Sequence, residues 1–411
     1  MSRHMLSRAV LTAALAAALT LNAPPASAQS LPASPLVFAS GRVIIGGDIA
    51  ATISERDDVG WFNYTDYEHD ALRLLRVGLT GEWRIAGRVS VLGDFRSQNG
   101  EDLQAFAAFV RVRPIARLPL DVQAGKIPPT FGAFGRRVYS NDNPLIGYPL
   151  AYQYLLSLRP DAIPASADDL LRMRARGWRS SFPVGSPEPR PGVSIVAGFA
   201  WDAGVQLRGG TDRLQGAIAV TNGSLSTPRF SDDNGGKQVS GRVQIQPVFG
   251  LFIGVSGARA AWLDRNVERR VAPGQPSPSQ RAMGADAEYS RGHWIVRAEA
   301  VRSTWTVPGV FSAAGKVDLS ATAAWIEARY RATPRLFIAA RADGMTFSKI
   351  SGTLFGGAPT EWDAPISRFE LGGGWYLQRN LIAKASVQRN ARDGGRQANR
   401  TFVAAQVLFW F

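Results

Sequence analysis

The sequence contains no cysteine among its 411 residues and only three histidines. A chain without cysteine forms no disulfide bonds, so it is not one of the small secreted domains that depend on them. Beyond the N-terminal segment, no stretch reaches the roughly 18 apolar residues that a transmembrane helix needs. Acidic residues are the minority, with 33 Asp and Glu against 47 Lys and Arg. These features exclude a disulfide-stapled domain and a helical membrane protein.

The first 28 residues have the three parts of a secretory signal peptide. Arg3, His4 and Arg8 form a basic start, residues 9–21 form an apolar run, and residues 26–28 (ASA) form a small-residue cleavage site. We therefore expect an exported protein that begins at Gln29. Without Arg3 and Arg8, 47 − 2 = 45 basic residues remain against 33 acidic ones, a formal charge near +12. This excess favours anionic partners, and export makes nucleic acid the least suitable of them.

Period-two alternation recurs along the rest of the sequence in segments of about ten residues. In residues 238–246, for example, Val239, Val243 and Ile245 alternate with Ser240, Arg242 and Gln244. Such segments, separated by turn residues, are typical of transmembrane antiparallel β-barrels, with apolar side chains towards lipid and polar ones in the lumen. The sequence therefore predicts an all-β protein in the outer membrane, in contact with outer-membrane lipid.

We predict about sixteen strands, a number that leaves an aqueous channel. The count is open by two, because residues 193–210 form either one strand or a hairpin. Short connections alternate with long ones, which is the second barrel signature. The predicted strands are residues 41–53, 72–83, 87–97, 103–113, 119–126, 196–209, 213–222, 237–247, 250–262, 281–291, 293–304, 319–332, 335–348, 366–378, 380–390 and 401–411.

Residues 126–191 interrupt this pattern with a long segment that has no alternation. Structureless loops of more than about 12 to 15 residues are uncommon in compact domains unless they are functional or disordered. This one is rich in aromatic and aliphatic residues and contains two predicted short helices. The first has Pro149 at its first position, and the second has Ser166 as cap with Asp169 closing a capping box. We predict that the segment folds into the lumen as the third loop and constricts it.

The last predicted strand, TFVAAQVLFWF, is apolar and alternating and ends at Phe411. In a soluble protein it would be a hazardous exposed edge, whereas in a barrel it pairs with the first strand. A C-terminal Phe on such a strand resembles the ending of Gram-negative outer-membrane proteins. The resemblance implies recognition by the outer-membrane insertion machinery.

Five segments between residues 120 and 263 resemble the phosphate-selective porin O and P family. They are GKIPPTFG at residues 125–132, WDAGVQLRGG from Trp201, LQGAIAVTNGS from Leu214, SDDNGGKQVSGRVQIQP from Ser231, and LFIGVSGA from Leu251. The resemblance implies a sixteen-stranded, trimeric barrel with its third loop folded inward, which conducts small anions such as phosphate or polyphosphate along lumenal arginines. The phosphate-binding lysine of that family has no single counterpart here, because the insertion is far richer in Arg than in Lys.

Arginine is the residue best suited to line an anion pathway, because it stays charged and offers a planar fork of donors to phosphate or carboxylate. The predicted pore-lining and anion-binding residues are Lys126, Arg136, Arg137, Arg172, Arg174, Arg176, Arg179, Arg111, Arg113, Arg242, Arg329 and Arg341.

A structural role is the alternative for some lumenal arginines. Arg297 with Glu299, Glu327 with Arg329, Arg341 with Asp343, and Arg368 with Glu370 lie two residues apart on one face, and such pairs can form an ion-pair lattice. Arg111 and Arg113 have no acidic residue on the inner face of their own strand, which favours a pore-lining role.

Three other classes of protein compete with an anion-selective porin. A general porin without anion preference fits the same barrel. A barrel enzyme would need a nucleophile with a base, but only His69 and His293 follow the signal peptide, and no serine stands in a nucleophile-elbow motif. A soluble propeller would show a repeat of about 40 to 50 residues, and none is present. We therefore predict no enzymatic activity, no cofactor and no metal.

Two further predictions concern the loops and the aromatic residues. Asp57, Asp58, Asp66, Glu68, His69 and Asp70 are interpreted as a solvated acidic loop. Trp262, Trp294, Trp305, Trp375 and Trp410 lie near predicted strand ends, which favours aromatic girdles at the membrane interfaces.

Overall fold

The computed structural model describes residues 34–65, 68–115, 118–198, 201–274, 276–308 and 316–411, and sixteen long strands dominate it. The predicted signal peptide lies outside these residues. The barrel strands are β1 (Val43–Ser54), β2 (Leu75–Ala86), β3 (Val89–Gln98), β4 (Gln104–Val112), β5 (Leu120–Ile127), β6 (Asp202–Gly210), β7 (Leu214–Thr221), β8 (Gln238–Val248), β9 (Leu251–Ala261), β10 (Ser279–Arg291), β11 (Trp294–Pro308), β12 (Lys316–Arg331), β13 (Leu336–Phe347), β14 (Ile366–Gln378), β15 (Leu381–Arg392) and β16 (Asn399–Trp410).

Every barrel strand pairs antiparallel with its neighbours along the chain, and β16 pairs with β1 to close the sheet. The closing register runs from Asp48 opposite Trp410 to Ser54 opposite Ala404. Beside it, the three-residue strand Leu36–Phe38 pairs with the start of β1. The predicted all-β fold, a closed antiparallel barrel of sixteen strands, is confirmed.

The two faces of the strands differ as the alternation predicts. In β8, Val239 and Val243 are 50% and 48% exposed on the outer wall, whereas Ser240 and Arg242 are buried inside. Other exposed wall residues are also large and apolar, among them Leu79, Phe369 and Leu371. Apolar outside and polar inside is the arrangement of a barrel whose wall faces lipid.

The two ends of the barrel differ in their connections. At the short-turn end, two-residue turns join β8 to β9 and β10 to β11, and Gly250 and Gly292 adopt the positive φ angles that such turns require. At the opposite, long-loop end, residues 55–74, 222–237, 262–278 and 348–365 form longer connections. One of them contains the helix Arg265–Val271. Within the described residues, no helix is long and apolar enough to cross a membrane.

Some predicted boundaries and environments are wrong. The strand predicted at 196–209 begins only at Asp202, because residues 193–196 pair with chain inside the barrel. Trp294 and Trp375 are about half exposed on the wall, as a girdle requires, but Trp262 and Trp305 are buried. Those two indoles pack in the core below the loops at the long-loop end.

Candidate functional site

The connection from Pro128 to the start of β6 lies inside the barrel and is called the insertion below. It contains helix α1 (Leu150–Gln153) and helix α2 (Ala167–Arg172). The Ser166 hydroxyl caps α2 by accepting a hydrogen bond from Asp169 N at 3.2 Å. In a capping box the Asp169 carboxylate would accept from Ser166 N. Here it accepts from Ala165 N instead, one residue earlier. Pro149 precedes α1, which ends after four residues and is followed by extended chain.

Two stretches of the insertion pair with each other through backbone hydrogen bonds. Leu156 N donates to Val193 O at 2.8 Å, and Val193 N donates to Leu158 O at 2.9 Å. Gly177 and Gly192 pack so closely on this extended chain that an added Cβ would lie 1.8 Å from a backbone carbonyl oxygen. The insertion is therefore a folded unit with its own core rather than a loose loop.

Strands around the whole circumference hold the insertion. On β14, Arg368 donates to Tyr148 O at 3.0 Å, and Glu370 accepts from Gly147 N at 2.9 Å. On β2, Arg76 donates to the Tyr148 hydroxyl at 2.8 Å.

The opposite wall makes equivalent contacts. On β11, Glu299 accepts from Ala133 N at 2.8 Å and from the Tyr152 hydroxyl at 2.6 Å. On β15, the Lys384 ammonium donates to Asn143 O at 2.6 Å. Contacts to so many strands show that the insertion spans the lumen, as the sequence predicts.

The insertion fills this level of the lumen instead of only narrowing it. Inward side chains on well-separated strands are inaccessible to solvent, with Gln206, Ser303, Glu370 and Asn390 all 0 to 1% exposed. Most large buried side chains of the insertion, including Tyr152 and Leu156, belong to one continuous core that extends to the wall.

Five of the predicted site residues take part in ion pairs with residues of the barrel wall. Arg341 contacts Glu327, Asp343 and Glu370 at 2.9 to 3.2 Å, and it is 1% exposed. Arg242 pairs with Asp286, and Arg137 of the insertion pairs with Glu288. Arg111 pairs with Glu82 at 2.7 Å, and Arg113 with Asp121 at 3.0 Å.

An ion-pair lattice therefore exists, but its members differ from those predicted. Arg341 pairs with Asp343, whereas Arg297 pairs with Glu288 and Glu327 instead of Glu299. Arg368 donates to Asn390, Gln153 and backbone carbonyls and makes no ion pair with Glu370 among the described contacts. The reasoning from single strands failed because partners on neighbouring strands lie as close as residues two apart.

Arg329 on β12 is a lumenal arginine that forms no ion pair among the described contacts. It is half-buried, its guanidinium carbon lies 5.6 Å from the Phe337 ring centre, and no acidic group of the described residues forms an ion pair with it. Its Nε atom is buried without a hydrogen-bond partner in the described structure. Arg329 therefore makes no ion pair with a carboxylate of the described residues.

The four arginines after α2 lie at the long-loop end. Arg172 is exposed and pairs with Asp169, and Arg174 pairs with Asp393 at 3.3 Å. Arg176 is exposed, and Arg179 is exposed over the ring of Trp61 at 5.8 Å. The structure thus brings these four together at the outer surface of the insertion, apart from Arg111, Arg113 and Arg329. The side chain of Arg136 lies outside the described part of the chain.

Lys126 occupies the end of β5. Its ammonium donates to Ala105 O on β4 at 2.7 Å. It also lines a cavity of about 300 Å³ that is shared with Arg96, Glu68, Glu101 and Asp102. Three acidic residues therefore share this cavity with two cations, and one of these cations, Arg96, is already paired with Asp94.

A larger cationic cavity, called the vestibule below, opens at the short-turn end. It has a volume of about 430 Å³ and holds five arginines against two acidic residues. The charged lining residues are Arg42, Arg84, Arg88, Arg111, Arg113, Glu82 and Asp121.

The vestibule continues into a second cavity of about 200 Å³ that is lined by Arg113, Asp121, Arg208, Asp212 and Arg242. Glu82 contacts both Arg84 and Arg111, so one carboxylate is shared between two guanidinium groups. The lumen at this end has a net positive lining.

The sequence analysis missed Arg42, Arg84 and Arg208 as lumenal residues. Arg84 has the same strand parity as Arg76, but the predicted strand ended at residue 83, one position too early. Arg208 has the parity of the inward Gln206. Extending the alternation by one residue would have found Arg84, whereas Arg208 already lay within the predicted strand at 196–209 and only its parity had to be read.

The loop interpreted as solvated and acidic is solvated only in part: Asp58 and Glu68 are exposed, Asp66 lies outside the described residues, and the other three side chains are buried. Asp57 is 2% exposed, and His69 and Asp70 are each 8% exposed. Burial raises the pKa of Asp57 to about 7 and that of Asp70 to about 6. Phe62 O of this loop accepts a hydrogen bond from Arg368 at 2.7 Å, so the loop is part of the same packed layer as the insertion.

Comparisons with known proteins identify the fold. No family model and no curated protein matches the sequence. Solved structures do match. The trimer form of OmpT from Vibrio cholerae is 10% identical, with 90% of this chain and 99% of that chain covered at a TM-score of 0.52.

Two further porins match at 11% identity over 90% of this chain. They are OmpF of Salmonella typhi in complex with daunomycin (97% of that chain, TM-score 0.53) and the anion-selective porin from Comamonas acidovorans (99% of that chain, TM-score 0.52). The chain thus has the fold of outer-membrane porins. Its resemblance to the phosphate-selective O and P family stays a prediction.

Proposed function

We propose that the protein is an outer-membrane channel of the porin type that passes small anionic solutes along its arginine-lined lumen. The observation that carries this proposal is the vestibule, where five arginines face two acidic residues inside a closed barrel. A guanidinium group in a confined, partly desolvated passage attracts an anion several times more strongly than in bulk water. The structurally similar porin from Comamonas acidovorans is anion-selective, which supports the same proposal.

The second part of the proposal concerns the width of the conducting path. Because the insertion buries the inward side chains at mid-height, we expect a low conductance and a narrow path beside the insertion that excludes large solutes. We expect Arg329, which forms no ion pair among the described contacts, to face this path. Phosphate is the expected preferred anion, because several arginine forks can bind it at once.

The third part of the proposal concerns the location and the assembly of the protein. We propose that the apolar wall spans the outer membrane after export by the signal peptide, with the long loops outside. One neighbour was solved in a trimer form, and we propose a homotrimer here. We also propose that the strand ending at Phe411 is recognised by the outer-membrane insertion machinery.

Reversal potentials in planar bilayers test the selectivity. With purified protein and a potassium chloride gradient, we expect the reversal potential to lie close to the equilibrium potential of chloride. We also expect added phosphate to decrease the chloride current. A reversal potential close to the equilibrium potential of potassium would contradict the proposal.

A general porin is the second candidate, because Arg341, Arg242 and Arg137 are neutralised by carboxylates. It predicts a reversal potential near zero and no effect of phosphate.

A further inference from the structure

Three arginines lie close together on the outer wall of the barrel, on three successive strands, where most outward side chains are apolar. They are Arg259 on β9, Arg281 on β10 and Arg302 on β11, and each is exposed while its neighbours along the strand, such as Ala260, Ala282 and Val301, are buried inside. Arg259 is directly opposite Arg281 in the register. Arg302 is opposite Met283, two residues further along β10. The three therefore form one cluster, because opposite residues have Cβ atoms about 5 Å apart and diagonal ones about 7 to 8 Å.

The cluster has an excess of positive charge. Arg281 pairs with Asp318 on β12 at 2.8 Å. Neither Arg259 nor Arg302 has a hydrogen-bond or ion-pair partner among the described residues. Asp318 is the one acidic residue that points outward on the described barrel strands, since acids such as Asp286, Glu327 and Glu370 point into the lumen. At least two positive charges on this wall are left without a counter-charge.

The height of the cluster places it at a membrane interface. On the same strands, Tyr289, Trp294 and Tyr330 form an aromatic girdle at the short-turn end, with the Trp294 and Tyr330 rings 4.6 Å apart. Tyr289 and Arg281 are 289 − 281 = 8 residues apart, as are Trp294 and Arg302. At about 3.4 Å per residue and a strand tilt of about 40°, this corresponds to roughly 21 Å along the barrel axis, close to the apolar band of about 25 Å.

We propose that Arg259, Arg281 and Arg302 bind the phosphate groups of anionic lipid at the long-loop side of the membrane. The inference rests on the proposed membrane location but not on the proposed selectivity of the channel. A phosphate monoester on a lipid headgroup lies at the height of the cluster and accepts paired hydrogen bonds from guanidinium forks. A second copy of the chain fits poorly, because its own described outer wall offers no acidic patch to match three arginines.

Native mass spectrometry of the detergent-solubilised full-length barrel tests this site with defined probes. The probes are phosphatidic acid, diacylglycerol with the same acyl chains, and inorganic phosphate. We expect the wild type to retain phosphatidic acid at least tenfold more tightly than diacylglycerol, and inorganic phosphate not to compete at equal concentration. The variant Arg259→Gln/Arg281→Gln/Arg302→Gln is expected to lose this preference.

Arg389→Gln is the matched control, because Arg389 is an exposed outward arginine on β15 opposite Phe369 and Thr401. It is expected to leave retention unchanged. Heat-modifiable gel migration identifies folded barrels, and the single variants Arg259→Gln and Arg302→Gln replace the triple variant if that one does not fold. Equal retention of diacylglycerol, equal retention by the cluster variants, or competition by inorganic phosphate would overturn the lipid site. So would variants that only dissociate an oligomer, because that result assigns the cluster to a subunit contact.

Discussion

The two halves of the lumen use arginine in different ways. In the half filled by the insertion, Arg368 and Arg76 donate to the insertion and the loop before β2, and Arg341 is surrounded by three carboxylates. In the vestibule, Glu82 is shared between Arg84 and Arg111, Asp121 pairs with Arg113, and Arg42 and Arg88 form no ion pair among the described contacts. A lumenal arginine therefore contributes to selectivity only where protein acceptors do not already occupy its donors.

Removal of the insertion should give the largest change. Replacing residues 140–196 with a short Gly-Ser linker takes away the side chains that bury the lumenal wall at mid-height. We expect the single-channel conductance to rise several-fold while the barrel still assembles, because the strand ladders do not depend on the insertion. Deletion of residues 355–358, an exposed part of another long loop, is the matched control. An unchanged conductance after removal of the insertion would mean that the ions take another path.

Neutralising the vestibule should have the next largest effect. The variant with Arg84, Arg88, Arg111 and Arg113 changed to Gln is expected to move the reversal potential to zero or to the cation side, because Glu82 and Asp121 then dominate the lining. Changing Arg172, Arg174, Arg176 and Arg179 to Gln removes the same charge at the long-loop end. We expect a smaller shift there, since exposed charges are screened over about 8 Å at physiological ionic strength. A larger shift from the second variant would place the selectivity at the long-loop end.

Arg368 tests whether the insertion is held by the wall. Arg368→Met leaves Phe62 O and Tyr148 O without their donor, and buried hydrogen bonds to a charged group contribute about 1.5 to 3 kcal/mol each. We expect faster protease cleavage within the insertion and noisier channel openings, with the barrel intact on gels. Arg389→Met, on the outer wall, is the control. Wild-type protection of the insertion in the Arg368 variant would show that hydrophobic packing alone holds it.

The smallest expected effect is a pH dependence of the loop before β2. The pKa of Asp57 is raised to about 7 and that of Asp70 to about 6, because burial disfavours both charged forms. A carboxyl group whose pKa is raised in the packed loop contributes its full stabilisation when the pH is below its ordinary pKa of about 4. This stabilisation is lost as the pH rises through the raised pKa values of about 6 to 7. After correction for the intrinsic pH dependence of amide exchange, loop residues should therefore be less protected at pH 8 than at pH 5. Asp57→Asn should weaken this dependence, and an unchanged dependence would assign it to other groups.

The wall could be predicted from the sequence, and most of the lumenal contacts could not. In an alternating segment of ten residues, only one of the two sets of alternate side chains is apolar enough to face lipid. Val239 can therefore be assigned to the outer face and Arg242 to the lumen without knowledge of the neighbouring strands. Charge partners depend on the stagger between strands, which the sequence does not reveal. Arg111 looked unpaired on its own strand, yet Glu82 from β2 reaches it at 2.7 Å. Likewise, Asp57 and Asp70 belong to an acidic, loop-like stretch, and only the tertiary packing shows that they are buried.

The position of the insertion constrains the order in which the molecule is assembled. Lys384 contacts Asn143, 241 positions earlier, and Arg368 contacts Phe62, 306 positions earlier. Contacts between such distant residues form slowly, because a long chain must first be brought together. Once β16 pairs with β1, the ring is closed and strands surround the insertion. We therefore expect the insertion to enter the lumen before, or while, the last strand pairs with the first, so that closure of the barrel also completes its interior.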